Sequence, residues 1–460
     1  MKSLLLKPEL DELLERKDYP AIKEFCEEEH PETVAEMLGG LEISKIWQIL
    51  TLLSIDMRAN IFSRLDEEVQ EELANYISRK DLALIISEMA ADDRVDLLRR
   101  FPQEKRELIL SAIAHAERED IRRLFQYKEG TAGAVMTSEY LTLKPTQTVE
   151  EAIASIRRDA LNKETVYYAY IIDDQRRLIG FISLRDLILS DPKTLLQDIM
   201  HEEVISVRAD TDQEVAARTI QKYDLIALPV VDEQGVLVGI ITHDDAVDII
   251  TQEQTEDLEK LMAIGGSHEA VGYLKTPSFE HFRRRAVWIV LLSILGLVSG
   301  SVIHSFENLL TQLMILALYM PMLADTGGNI GSQTATVVIR ALALREIGPK
   351  DFMKILFKEL KISGMLALVL ILLTFAKVMF LSQDATIPQG FTLERIGLAI
   401  SLALGIQVVT SALIGAILPM VAAIFKMDPA VVASPALTTI VDVTGLMIYF
   451  SLARLILGIT

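Results

Sequence analysis

Asp442 is a lone carboxylate near the middle of the last long hydrophobic stretch of this chain, residues 429–458. A charge at the centre of a bilayer costs about 2.5–3.5 kcal/mol on insertion scales, so a sequence that keeps one there is expected to use it. Thr438 stands four residues earlier, on the same helical face. A second hydrophobic stretch carries Asp325, Asn329 and Gln333 at four-residue intervals, with Ser332, Thr334 and Thr336 among them. Polar groups at membrane depth survive only where they are buried in protein or line a wet cavity. Pro321, Gly327, Gly328 and Gly331 in that stretch predict local unwinding or the close approach of another helix, and Pro435 in the last stretch predicts freed carbonyls. Carboxylates, amides, hydroxyls and freed carbonyls are hard oxygen ligands. The membrane half has no cysteine, and its two histidines, His281 and His304, lie near the ends of the first stretch. That donor set favours Mg2+ or Ca2+ over Zn2+ or Cu+. Small-residue helix packing, a buried ion pair and a proton carrier are the other readings of the same residues.

The elements that must hold these groups are segregated along the 460 residues. From residue 281 onward, 13 Lys and Arg face 9 Asp and Glu; residues 1–280 hold 32 against 56. An acidic soluble half is thus joined to a hydrophobic half. The acidic half repels nucleic acid and anionic lipid and attracts cations. Five runs are long enough to span a bilayer: 286–303, 309–343, 352–381, 393–424 and 430–457. Arg283, Arg284 and Arg285, and the Lys and Arg cluster of residues 340–361, place the N-terminal half and the second loop in the cytoplasm, the C-terminus outside, and residues 426–428 inside. A single cysteine, Cys26, excludes an intrachain disulfide. The short, charged N-terminus has no signal-peptide pattern.

Residues 1–127 read as an all-helical solenoid, because apolar residues recur at three- and four-residue spacing and residues 52–77 align with 88–113 at an offset of 36. Residues 131–250 contain another repeat. Asp173, Gly180, Ser183 and Asp186 match Asp232, Gly239, Thr242 and Asp245, each 59 residues later, in copies ending DDQRRLIGFISLRDL and DEQGVLVGIITHDDA. Each copy reads strand, helix, strand, tight turn, strand, helix, across 131–198 and 199–250. The pair resembles a tandem CBS (cystathionine-β-synthase), or Bateman, module. That resemblance implies adenine-nucleotide binding, ATP included, by Tyr168, Arg185 and Asp186. A long acidic helix is predicted from residue 244 to 264 within a connector of residues 244–270; Asp245, Asp248, Glu253, Glu256 and Asp257 are stacked along it. Like charges at that spacing destabilise a helix until a cation neutralises them.

The order of these parts, with DTGGNIGSQ and ALTTIVDVTGL in the membrane half at 281–460, resembles the bacterial MgtE family of magnesium channels over essentially the whole chain. The resemblance implies a multi-pass homodimer of the inner membrane, without enzymatic activity, whose pore binds hydrated Mg2+ at Asp442. Asn329 and the Thr438 turn help line that site. Asp325 departs from the family pattern, which has Gly there, and its extra carboxylate either enters the pore mouth or is structurally buried. The resemblance also implies a regulatory Mg2+ system that closes the pore. Its residues are Asp92 and Asp96 in the solenoid, and Asp212, Glu214, Asp224, Asp245 and Asp248 in the CBS part. Glu253, Glu256 and Asp257 in a connecting "plug" helix complete it, with an ion bridging that helix to Asp428. A secondary exchanger of Mg2+ against H+ or Na+, and a nucleotide-sensing protein with a passive membrane anchor, are the alternatives. No P-loop or other phosphate-hydrolysis motif is present.

Overall fold

The structure, a computed structural model, describes residue 10 and residues 12–160, 163–262, 264 and 276–459. The chain divides into two compact units, Met1–Thr251 and Gln252–Thr460. From residue 19 onward the first unit carries nine short helices: α1 (Tyr19–Glu28), α2 (Pro31–Leu38), α3 (Ile43–Leu50), α4 (Ile55–Ser63), α5 (Glu67–Tyr76), α6 (Arg79–Glu88), α7 (Ala91–Arg99), α8 (Gln103–Leu110) and α9 (His115–Leu124). The pair α4–α5 recurs as α7–α8, each start displaced by 36 residues as the sequence repeat predicts.

The repeat has a polar reason as well as an apolar one. Helix ends leave carbonyls without partners. Arg58 Nε donates to the Leu50 carbonyl at 3.0 Å, and Arg94 Nε, 36 residues later, donates to that of Met89 at 2.5 Å. Gln70 Nε2 donates to the Ser63 and Leu65 carbonyls at 2.8 and 2.9 Å. Arg106, its counterpart, donates to those of Leu98 and Phe101, both at 3.1 Å. Each long side chain turns back onto the carbonyls that end the preceding helix. Leu50, Ile61, Phe62, Leu73, Ile86, Leu97 and Leu98 form the apolar spine between them.

Two three-stranded sheets follow. In the first, β1 (Thr142–Leu143) pairs parallel with β2 (Tyr168–Ile172), which pairs antiparallel with β3 (Leu178–Ser183); α10 (Val149–Asp159) crosses between β1 and β2, and α11 (Leu184–Leu189) follows β3. The second repeats this with β4 (Val207–Arg208), α12 (Gln213–Tyr223), β5 (Ala227–Val231), β6 (Leu237–Thr242) and α13 (His243–Leu261). The matched residues do matched work. Asp173 and Asp232 accept backbone N–H bonds that close the two strand turns. Gly239 lies where a Cβ would stand 2.9 Å from the Thr137 carbonyl, and Gly180 where it would stand 3.0 Å from that of His201. Helix α13 ends at Leu261, short of residue 264; Ile264 is outside it, and residues 265–270 lie outside the described residues. The boundary between units falls within α13.

The second unit contains α14 (Ser278–Ser305), α15 (Glu307–Gln312), α16 (Ile315–Ala343), α17 (Phe352–Leu381), α18 (Leu393–Ile424) and α19 (Pro429–Leu457). The predicted span beginning at 309 is corrected: Leu309–Gln312 belong to α15, and the long helix starts at Ile315. Of unwinding and the close approach of another helix, the structure takes the second. Helix α16 runs unbroken through Pro321, and Gly327 and Gly331 serve close packing, whereas a Cβ on Gly328 would meet nothing. Among the described residues, four segments can cross a membrane by length and apolarity: Ser278–Ser305, Pro349–Leu381, Leu393–Ile424 and Leu437–Leu457. Helix α16 is long enough and fails on composition, because its polar stripe lowers its hydropathy. Helix α18 is the hub, with Ala399, Ile400, Ala403, Leu404 and Val408 buried against its neighbours.

Gln70→Leu should leave two helix-end carbonyls buried without donors and destabilise the solenoid by about 2–3 kcal/mol. Hydrogen exchange across residues 55–76 reads it; protection equal to that of the unaltered protein would contradict the capping role.

Candidate functional site

The first unit concentrates its acidity in one cleft of about 920 Å³. The N-terminal turn of α7 brings Asp92 and Asp93 to it, the loop before β2 brings Glu164, and the start of α13 brings Asp244, Asp245 and Asp248. Glu32, Glu88, Glu117 and Glu139 also line it, against only Arg64 and Arg94. Arg94 is committed to Glu139 at 2.8 Å. Burial, followed by the charges of Asp245, Asp93 and Glu164, pushes the Asp92 carboxyl well above the usual carboxylate range. Burial, then Asp245, raises Glu164 to about 7; Asp93, raised mainly by surrounding protein and then by Asp96, reaches about 6. Asp245 is raised by burial although the Thr242 hydroxyl and N–H both donate to it. Asp96 stands beside this group, its side chain open to solvent and 3.7 Å from Arg99.

Asp92 Oδ1 is buried and has no hydrogen-bond partner among the described residues. An orphaned buried carboxylate oxygen among further carboxylates suits a hard divalent cation. Among the described residues no three His, Cys, Asp or Glu side chains form a ready-made cage. The cleft therefore offers a field of oxygens, which fits an ion that keeps several of its waters.

Of the predicted regulatory residues, the structure gathers Asp92, Asp245 and Asp248 here, with Asp96 alongside. It does not gather Asp212, Glu214 or Asp224. Asp212 is the exposed N-cap of α12, accepting from the Glu214 N–H at 2.9 Å, and it lines a separate cleft with Asp210, Asp232 and Glu233. Glu214 pairs with Arg218 at 2.5 Å, and Asp224 ends α12 with φ 51°. Asp93, Glu164, Glu139 and Asp244 were missed by sequence reasoning. Glu164 sits in a loop with no periodicity to mark it, whereas Asp93 and Asp244 could have been found as neighbours of Asp92 and Asp245.

In the second unit the expected ion bridge to Asp428 is made by a side chain. Lys260 Nζ lies 2.9 Å from Asp428 Oδ2 and also pairs with Glu256, one turn earlier on α13. Burial alone would lower the Lys260 amine, but the two carboxylates outweigh it and hold it above its ordinary value. Glu253 and Asp257 lie on the same segment of α13.

Within the membrane half, Asp325, Asn329, Ser332, Gln333 and Thr336 all lie on the open face of α16. Asn329 Nδ2 donates to Asp325 Oδ1 at 3.2 Å. The opposite face of α16 is packed: a Cβ on Gly327 would stand 3.2 Å from Val441 of α19, and one on Gly331 3.4 Å from Leu437. Asp442 follows Val441 and is half-buried, and Thr438 is exposed. Glu359, buried on α17 and bonded by the Thr334 hydroxyl at 3.3 Å, and Gln407, buried on α18, were not foreseen.

Around the first CBS copy, Asp186 Oδ2 accepts from the Ser183 N–H at 3.1 Å and the Ser183 hydroxyl at 2.6 Å, completing a capping box at the start of α11. His201 Nε2 is 3.2 Å from the same oxygen. Tyr168 meets Phe181 edge-on at 5.6 Å, His201 stacks on the other side at 4.9 Å, and Arg185 is exposed. In the second copy the equivalent carboxylate, Asp245, faces the acidic cleft.

Three kinds of family model match successive parts of the chain: the MgtE intracellular N domain over residues 29–130, CBS domains over 132–192 and 196–252, and the MgtE divalent cation transporter over 320–452. The magnesium transporter MgtE of Thermus thermophilus is 36% identical over 451 residues, 97% of this chain and 98% of that protein. The magnesium transporter MgtE of Bacillus subtilis is 34% identical, covering 88% of this chain and 87% of its own length. Among solved structures, the soluble part of a magnesium transporter superposes with TM-score 0.52 at 33% identity, over 55% of this chain and 99% of that one. The cytosolic domain of the Mg2+ channel MgtE in complex with ATP gives TM-score 0.51 at 38% identity, over 53% and 100%. These proteins are named for transport and not for catalysis, and this chain belongs to the MgtE family of divalent cation transporters.

Proposed function

We propose that this protein is a Mg2+ channel of the bacterial inner membrane, gated by cytosolic Mg2+. The observation that carries the reading is the cleft around Asp92, where ten carboxylates face two arginines and one buried carboxylate oxygen is unpaired. Names of full-length relatives support Mg2+ as the transported ion. Asp442, Asn329 and Thr438, with Asp325, would form the path, from one helix face each of α16 and α19 in two copies of the chain. Mg2+ gives up water reluctantly, so these oxygens would hold it largely through its hydration shell. They must bind it strongly enough to admit it and weakly enough to release it.

For gating, a bound divalent ion would supply the positive charge that lets Asp92, Asp245 and Glu164 stay close. Without it these groups repel, and α7 and the start of α13 are driven apart. Lys260 joins α13 to Asp428 in the loop before α19, which supports reading α13 as the element that connects sensing to the path. The same contact supports a cytoplasmic position for that loop and an outside C-terminus. Asp212, Glu214 and Asp224 would contribute, if at all, away from the main cleft. Adenine-nucleotide binding at Tyr168, Arg185 and Asp186 is supported by the ATP complex of the similar cytosolic domain.

Asp442→Asn should lower Mg2+ uptake into liposomes by at least about tenfold, the equivalent of 1.4 kcal/mol of lost ion binding. Full uptake by that variant would overturn the path assignment, and strict coupling of uptake to a proton or Na+ gradient would favour an exchanger. A pH effect follows from the raised carboxyls. Their folded-state values lie above the unfolded ones, so the folded cleft holds more protons and loses stability as pH rises from about 4 to about 7. In chelator, hydrogen-exchange protection factors, corrected for the intrinsic rise of exchange with pH, should therefore fall in residues 91–99 and 243–250 over that range, and saturating Mg2+ should flatten the dependence. A pH-independent cleft would refute the sensor. Asp186→Ala should weaken ATP binding by about tenfold, as calorimetry can read, through loss of roughly 1.4 kcal/mol.

A further inference from the structure

Gln407 is the one glutamine buried in the membrane half among the described residues, 1% exposed near the middle of α18. Its carboxamide is wedged between two glycines on two different helices. A Cβ placed on Gly327 of α16 would overlap the amide nitrogen and stand 3.1 Å from Cδ. A Cβ on Gly445 of α19 would overlap the same nitrogen and stand 2.7 Å from Cδ. Nε2 donates to the Leu323 carbonyl of α16 at 3.0 Å, while Oε1 has no partner among the described residues. An unsatisfied buried amide oxygen is destabilising, and a leucine would fill similar volume without that penalty. What leucine lacks is the bond that fixes α16 at Leu323, two residues before Asp325 and six before Asn329. Gly445 lies one turn after Asp442. The same carboxamide thus touches both helices that carry the polar path residues, a turn from each.

We propose that Gln407 is a positioning residue of the ion path: its carboxamide is the spacer that sets the separation of α16 and α19, and so the distance between the Asn329 face and Asp442. The inference rests on the reading that those two residues line the path. A neutral amide suits the task. It donates to a helix carbonyl and, unlike a lysine or arginine there, adds no charge to repel a divalent cation passing nearby. Both glycines are required by contact, since any side chain would displace the spacer.

The full-length protein is purified and reconstituted in liposomes, and Mg2+ influx is normalised to folded protein. Gln407→Leu keeps volume and loses the donor, Gln407→Ala removes the spacer, and Gly445→Ala pushes it aside. Each should shift the half-saturating Mg2+ concentration or the Mg2+ to Ca2+ flux ratio by about tenfold, equivalent to 1.4 kcal/mol in ion binding. The double variant Gln407→Ala with Gly445→Ala, which replaces the amide with a methyl in the same gap, should lie nearer the unaltered protein than either single change. If the variants lower only yield or melting temperature and leave half-saturation and flux ratio unchanged, Gln407 is structural and the inference is overturned. Additive effects in the double variant would also overturn it. If Gln407→Leu does not fold, the Ala variants and their combination decide. Asp442→Asn separates the two readings. Should it leave influx intact, the path assignment itself fails; should it abolish influx while the Gln407 variants behave normally, only the spacer fails.

Discussion

Carboxylates held away from bulk water without enough cations to balance them are the constraint on which the rest of this structure depends. Two unit charges about 5 Å apart interact by roughly 3 kcal/mol at an effective dielectric of about 20. A folded domain is stable by only about 5–15 kcal/mol, so a few such pairs consume that margin. In the cleft lined by Asp92, Asp93, Glu164, Asp244, Asp245 and Asp248, Asp92 and Glu164 both feel the charge of Asp245. Part of the repulsion is relieved by protons, which is why burial and mutual charge raise these carboxyls towards neutrality. The remainder is a repulsion that a cation from solution would relieve.

Elsewhere the chain meets the same constraint with cations of its own. Glu139 has Arg94, and Asp428 has Lys260, which Glu256 also holds. A tethered ammonium differs from a dissolved ion in one respect: its local concentration does not vary with the surroundings. Arg94 and Lys260 supply counter-charge from within the chain, whereas the Asp92 cleft has only Arg64 and Arg94 among ten carboxylates. The carboxylates thus differ in how much counter-charge the chain itself places beside them.

The membrane half applies a related economy to dipoles. Its helix packing relies on small residues and neutral hydrogen bonds: Gly327 and Gly331 against α19, the Tyr449 hydroxyl on the Leu316 carbonyl at 2.8 Å, and Tyr319 with Ser382 at 2.7 Å. Asp325, Asn329 and Gln333 are kept on the face of α16 that no helix of the same chain covers. Glycine and polar residues thus occupy opposite faces of one helix for opposite reasons, contact on one side and access on the other.

Much of this was legible in the residues. The 36- and 59-residue repeats and the polar faces of the second and last long helices follow from local periodicity, which backbone geometry turns directly into helix faces, strand turns and caps; the family likeness rests on the motifs DTGGNIGSQ and ALTTIVDVTGL. Asp92 and Asp245 were identifiable as acidic, and Asp442 as misplaced, because charge is a property of a residue and its immediate neighbours. What only the tertiary structure decided is which distant groups share a space. Glu164 joins Asp92 through a loop with no pattern, Asp212 caps α12 beside a separate cleft, Lys260 reaches Asp428, and Gln407 fills the gap between two glycines. Such contacts join residues dozens to more than a hundred positions apart, and they exist because packing must satisfy volume, charge and hydrogen bonds together, a condition no short window of sequence contains.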